Sequence, residues 1–137
     1  MLTVLEKVEL LRNAPLFQAL PTQSLVRVAA IANELSWAPQ QVVYQENSPA
    51  ESIVFLLEGE LELLRGGKVF ARRGQHQVLG SLAALASGSH SESAVVSQPT
   101  RALRMDREEF FDAMAEDFRV ARGIVKALAG MAKGAAS

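Results

Sequence analysis

Apolar residues near the start of the chain fall at Leu2, Leu5, Val8 and the Leu10–Leu11 pair, a spacing that predicts a helix over residues 2–13. Glu6, Lys7 and Glu9 form its solvated side, and Pro15 ends it. Thr22 is a good cap for a second helix with Leu25, Val28, Ala29 and Ala32 along one face. Both helices are too short to stand alone, so their apolar faces need a surface to pack on. From about Glu34 the pattern changes to short β-prone runs: 35–37 and 42–44 around Pro39, then the continuous apolar run 53–57. After Gly59 the pattern alternates, with Glu60 and Glu62 facing out and Leu61 and Leu63 facing in. Gly66–Gly67 is a two-residue hairpin turn leading into 68–72, and further runs follow at 78–79, 94–97 and 102–105. About eight short strands with close turns predict a sandwich or barrel. Asp106 opens a last helical region as an N-cap with Glu109 three residues on, a capping box. Phe110, Phe111, Met114 and Phe118 read as a packed stripe. A further helix starts near Asp117, with Ala121, Ile124, Val125 and Leu128 on one face and Arg119, Arg122 and Lys126 on the other.

Composition narrows the function. The 137 residues are 49% hydrophobic and carry a net charge of −1, so a sizeable core forms without an electrostatic footprint for nucleic acid or an anionic membrane. Cysteine is absent, which removes disulfides, thiolate metal sites and cysteine nucleophiles. Glu6 and Glu9 interrupt the first apolar pattern, so that segment is neither a signal peptide nor a membrane span. The expectation is a cytoplasmic protein with no nucleic-acid partner and no direct membrane insertion.

The stretch 78–96, VLGSLAALASGSHSESAVV, is the candidate site. Gly80 followed by one helical turn aims backbone N–H groups at a common point. No Lys or Arg occurs between Arg73 and Arg101, so charge for binding is expected only from N–H groups, hydroxyls and the two histidines. His76 and His90 stand fourteen positions apart with no adjacent carboxylate–histidine arrangement, which argues against a metal. Ser81, Ser89, Ser91 and Ser93 sit in no nucleophile elbow, and the glycines match no phosphate-loop or dinucleotide pattern. No enzyme activity is expected.

Helices, then short strands around a Gly-x-x-Ala turn, then a capped Phe-rich helix together resemble the cyclic-nucleotide-binding domain. That fold is the double-stranded β-helix, or jelly roll, of catabolite activator proteins and the protein kinase A regulatory subunit. The resemblance runs from about Leu10 to Leu128. Pro15-Leu16-Phe17 with Leu20 resembles the family's Pro-Leu-Phe-x-x-Leu segment, and Tyr44 to Ser52 stands where the family has an aromatic residue and a Gly-Asp-x-Gly-Asp turn. Asn47 replaces the first glycine of that turn and tolerates a positive φ. Residues 53–59 resemble the next strand and its glycine, and 103–110 the strand that leads into the Asp-Arg-Glu-x-Phe helix start. The resemblance implies a mainly β fold with N-terminal helices and C-terminal helices of the B/C type.

The binding cassette departs from the family. Phe-Gly-Glu-Leu/Ile-Ala appears as Leu79-Gly80-Ser81-Leu82-Ala83, and Arg-Ser/Thr-Ala as Glu92-Ser93-Ala94. The resemblance thus implies that the ribose-binding glutamate is Ser81 and the phosphate-pairing arginine is Glu92. Losing one partner of a buried charge pair costs roughly 2–5 kcal/mol, about 30- to several thousand-fold in affinity. No cofactor is expected, and cAMP and cGMP are disfavoured. Gly80, Ser81, Leu82, Ala83, Glu92, Ser93 and Ala94 remain the ligand-binding candidates.

The organisation read from the sequence is a helical segment at 1–33, a β-roll at 34–105 with its cassette at 78–96, helices at 106–130 and a small-residue tail at 131–137. In the family such modules are fused to winged helices, kinases, channels and transporters; after Leu128 a Gly/Ala-rich tail follows, so no DNA-binding domain is expected in this stretch, whether it is a stand-alone module or a fragment of a longer protein. The expected function is a non-enzymatic regulatory or sensor module with a divergent pocket, acting on a partner or on the rest of a larger protein. The alternative is a small-molecule or nucleotide sensor of altered specificity that binds through cassette N–H groups and serines. Ile124, Val125 and Leu128 are candidates to pack on the roll, cover the pocket or form a homodimer.

Overall fold

The computed structural model describes residues 1–136. α1 (Val4–Leu11) is capped by Thr3, whose side chain accepts from the Glu6 N–H while Glu6 reaches back to the Thr3 N–H. A 3-10 turn at Pro15–Phe17 leads to α2 (Thr22–Ala30), where Thr22 is the first helical residue and Pro21 the cap. Six antiparallel strands follow: β1 (Ala32–Trp37), β2 (Val42–Tyr44), β3 (Ser52–Arg65), β4 (Lys68–Arg73), β5 (Val78–Leu79) and β6 (Ser93–Asp106). α3 (Ser81–Leu85) lies between β5 and β6, and α4 (Arg107–Glu116) and α5 (Phe118–Ala136) close the chain. The path β1-β6-β3-β4 forms the sheet, with β2 added to β6 and β5 to β3.

Eight predicted strands become six because Gly59 and Pro99 bend strands without ending them. β3 passes through Gly59, whose φ is +97°, and its register on β6 shifts repeatedly between Leu56 and Leu61. Thr100 fastens the bend: its hydroxyl accepts from the Glu60 N–H at 3.2 Å and donates to the Gln98 carbonyl at 2.7 Å.

The continuous apolar run of β3 is explained by cores on both faces of the sheet. Ile53, Phe55 and Leu57 pack with Leu11, Phe17, Leu25 and Phe110 under the helices. Val54, Leu56, Leu61 and Leu63 fill the inside of the roll with Ala94, Val96 and Ala102. The alternation after Gly59 places Leu61 and Leu63 inward, as their spacing predicts.

The C-terminal region differs from its sequence reading in three places. Asp106 caps α4, accepting from the Glu108 and Glu109 N–H groups, and Phe110 is fully buried, but Phe118 is 75% exposed at the start of α5. An aromatic stripe therefore does not run across both helices: the break at Asp117 rotates α5 relative to α4. Ile124 is 2% exposed and Leu128 packs against the same core, while Val125 is 65% exposed. Those three residues do not share a free face. Gly123 lets α5 approach closely, since a Cβ there would lie 2.5 Å from Leu20 Cδ1. α5 continues past Gly130 to Ala136, where Met131, Ala132 and Lys133 are good helix formers that offset Gly130 and Gly134, and Ser137 lies outside the described residues. No helix among the described residues is long and apolar enough to cross a membrane.

Candidate functional site

The site is assembled by backbone hydrogen bonds that carry three separated segments to one end of the roll. Val78 and Leu79 pair with Phe55 and Val54, which sets Gly80 at the mouth of the roll. Gly80 has φ +78°, a conformation that favours glycine, and it starts α3. A Cβ there would meet the Ser52 carbonyl at 3.1 Å and His90 Cε1 at 3.3 Å. On the other side, the turn after β2 is fixed by the Asn47 N–H donating to the His90 carbonyl at 2.8 Å and the His90 N–H to the Ser48 carbonyl at 2.9 Å. Asn47 has φ +69°, so it takes the positive-φ position inferred for it.

Between these segments lies a cavity of about 260 Å³. Gly80, Ser81, Leu82 and Ala83 form one wall, and Tyr44, His90 and Glu92 another. Ser93 and Ala94 are not in its lining. Ser93 turns outward, its hydroxyl accepting from the Glu46 N–H at 2.9 Å, and Ala94 is buried opposite Leu63.

The Tyr44 ring stacks on His90 with centroids 3.6 Å apart and planes 10° from parallel. The Tyr44 hydroxyl donates to Glu92 Oε2 at 2.9 Å, and the Ser91 hydroxyl to Glu92 Oε1 at 2.9 Å. Burial, reinforced by the Glu92 hydrogen bond, pushes the Tyr44 hydroxyl well above its ordinary pKa, so it stays a donor. Burial holds His90 below the usual imidazole range, against the opposing pull of Glu92, and leaves it neutral at pH 7. His90 is 5% exposed, and its Nδ1 has no hydrogen-bond partner.

Arg73, from β4, also lines the cavity. Charge for binding is therefore not confined to N–H groups, hydroxyls and histidines. A two-residue Gly66–Gly67 turn with straight register would pair Leu61 with Arg72 and aim Arg72 inward. Instead the register slips between Leu63 and Leu64, Phe70 becomes the extra residue, and Leu61 faces Arg73. Arg72 points out to Glu62 at 3.0 Å and Glu60 at 3.7 Å. The alternation of β3 signals an inward partner on β4, but not which of two adjacent arginines it is.

The two histidines do not meet: His76 stacks on Phe55 at 6.0 Å, while His90 stacks on Tyr44. Among the described residues no group of three His, Cys, Asp or Glu side chains is arranged to hold a metal ion.

A family model described as "Cyclic nucleotide-binding domain" matches residues 34–117, more than half of the chain. No curated protein matches by sequence. Solved structures do match in fold. A putative cAMP-binding regulatory protein from Silicibacter pomeroyi DSS-3 superposes with TM-score 0.81 at 18% identity, over 95% of this chain and 62% of that one. The N-terminal domain of a transcriptional regulator from Streptomyces coelicolor A3(2) gives 0.81 at 20% identity, over 92% and 94%. The Thermus thermophilus catabolite activator protein gives 0.75 at 21% identity, over 89% and 60%. This chain thus spans about three fifths of the length of the first and the last. The shared architecture is the jelly roll with helices at both ends.

Proposed function

This chain belongs to the cyclic nucleotide-binding domain family, and we propose that it is a non-enzymatic regulatory module whose pocket has diverged from cyclic nucleotides. Its output would pass to a partner or to the rest of a larger protein. One observation carries this reading. Glu92, which the resemblance implies stands in place of the family's phosphate-pairing arginine, is a carboxylate held in the cavity wall by the Tyr44 and Ser91 hydroxyls. A cyclic phosphate brought there meets a like charge, and Ser81 offers a hydroxyl in place of the glutamate for a ribose. Leu82 at the cavity rim and Phe118 and Val125 on α5 are exposed apolar side chains that a partner would cover.

Melting curves with cAMP and cGMP test the reading. A ligand at 100 times its Kd adds about 2.7 kcal/mol of stability, several degrees for a domain of this size. Neither nucleotide is expected to shift Tm at tens of micromolar, and a shift of several degrees would refute the proposal. Ser81→Glu with Glu92→Arg is expected to create cyclic-nucleotide binding measurable by calorimetry, each single change doing less because a lone new charge lacks its counterpart. A folded double variant that binds no better than wild type would show that backbone or packing, and not these two side chains, closes the pocket.

A further inference from the structure

Arg73 and Glu92 line one cavity of about 260 Å³, yet they form no ion pair. Arg73 donates through Nη1 to the Arg72 carbonyl at 2.9 Å, and no carboxylate among the described residues pairs with it. Glu92 accepts two hydrogen bonds, which leaves lone pairs free on both oxygens. A cation and an anion thus face a common space with binding capacity to spare. His90, almost fully buried, stands in the same wall. Leu63, Val78 and Leu79 supply apolar lining between the polar groups.

We propose that this cavity binds a small zwitterion with an apolar body, an apolar α-amino acid in kind and size, its carboxylate on Arg73 and its ammonium toward Glu92. A simple anion would answer Arg73 while lying beside an unanswered carboxylate, and a simple cation would do the reverse. A ligand bearing both charges satisfies both walls and leaves the site neutral. The volume is below the range for drug-sized ligands and suits one compact molecule. The flat Tyr44–His90 stack bounds the site on one side. This inference rests on the reading that the pocket has left cyclic nucleotides behind.

The test is calorimetry on the full chain with L-leucine and L-phenylalanine, beside 4-methylpentanoate and isoamylamine, which each keep one charge, and cAMP as a separate arm. At least one amino acid is expected to bind saturably, with both single-charge analogues at least about tenfold weaker than the amino acid that binds. Arg73→Gln and Glu92→Gln are each expected to weaken amino-acid binding about tenfold or more, whereas Arg72→Gln, on the outer face, leaves it unchanged. Melting curves establish that each variant is folded; for any that is not, Arg73→Lys or Glu92→Asp, which keep the charge and shift its position, replaces it. Absence of saturable binding by either amino acid up to about 10 mM overturns the inference. Equal binding of a single-charge analogue overturns it too, as does loss of binding in Arg72→Gln with retention in Arg73→Gln. Binding of cAMP at tens of micromolar would instead refute the proposed function, an outcome the amino-acid titrations do not mimic.

Discussion

Gly80 shows how one residue sets the site. Its φ is +78°, and a Cβ at this position would lie 3.1 Å from the Ser52 carbonyl and 3.3 Å from His90 Cε1, so a side chain adds backbone strain and needs a neighbour to give way by a few tenths of an ångström. Gly80→Ala is expected to cost about 1–3 kcal/mol of stability, read as a lower denaturation midpoint in urea. The Ser52 carbonyl is backbone and His90 a side chain, so His90 is the group that would have to shift, and the variant should also disturb the Tyr44–His90 stack and change tyrosine fluorescence. The sequence identified Gly80 and Asn47 as turn residues because both conformations have a local cause. It did not identify His90, Tyr44 or Arg73 as neighbours of Gly80, since their meeting depends on the bulge at Phe70 and on the pairing of the 45–48 turn with His90.

Among the elements, β3 and α5 account for most of the difference between pattern and structure. Glycine before an alternating run reads as a strand boundary, but here Gly59 is where two strands bend together, and a Cβ would lie 2.3 Å from Thr100 Oγ1 and 2.5 Å from the Pro99 carbonyl. Gly59→Ala is therefore expected to destabilise by about 3 kcal/mol or more, seen as a large drop in Tm, whereas Gly66→Ala meets no nearby atom and carries only its φ strain. Helical spacing alone groups Ile124, Val125 and Leu128, because an amphipathic face tells that something is covered but not by what. With Ile124 inside its own core, Ile124→Asp should unfold α5 or the domain, so it cannot report on self-association. Val125→Glu should leave stability within about 0.5 kcal/mol of wild type; sedimentation of that variant then tests α5 as an interface without confounding by unfolding.

Across the whole molecule, the two ends of the chain are joined by a contact between residues 93 positions apart. The buried Ser24 hydroxyl of α2 donates to Asp117 Oδ2 at 2.9 Å, at the break between α4 and α5, and Arg119 holds the same carboxylate through Nε at 3.0 Å and Nη2 at 3.1 Å. No local pattern distinguishes Ser24 from the other polar residues of α2, so this tie was not legible in the sequence. The Arg119 hydrogen bonds, helped by Ser24, lower the Asp117 pKa from 3.8 to about 2. As pH falls, the unfolded chain takes up the proton first, so the contribution is complete above about pH 4 and is lost on the way down to about pH 2. His90 has the same sign at higher pH: its lowered pKa means the unfolded chain protonates first as pH drops through 6.5, and the fold loses stability there. Wild-type stability measured by urea titration should thus decline in two separate steps on acidification. His90→Asn is expected to flatten the step near 6.5 and leave the acidic one, while Asp117→Asn lowers Tm at neutral pH and flattens the step between about 4 and 2. Should Asp117→Asn keep the wild-type acid profile, other carboxylates would govern it, and the contact joining α2 to the α4–α5 break would contribute shape without pH-dependent stability.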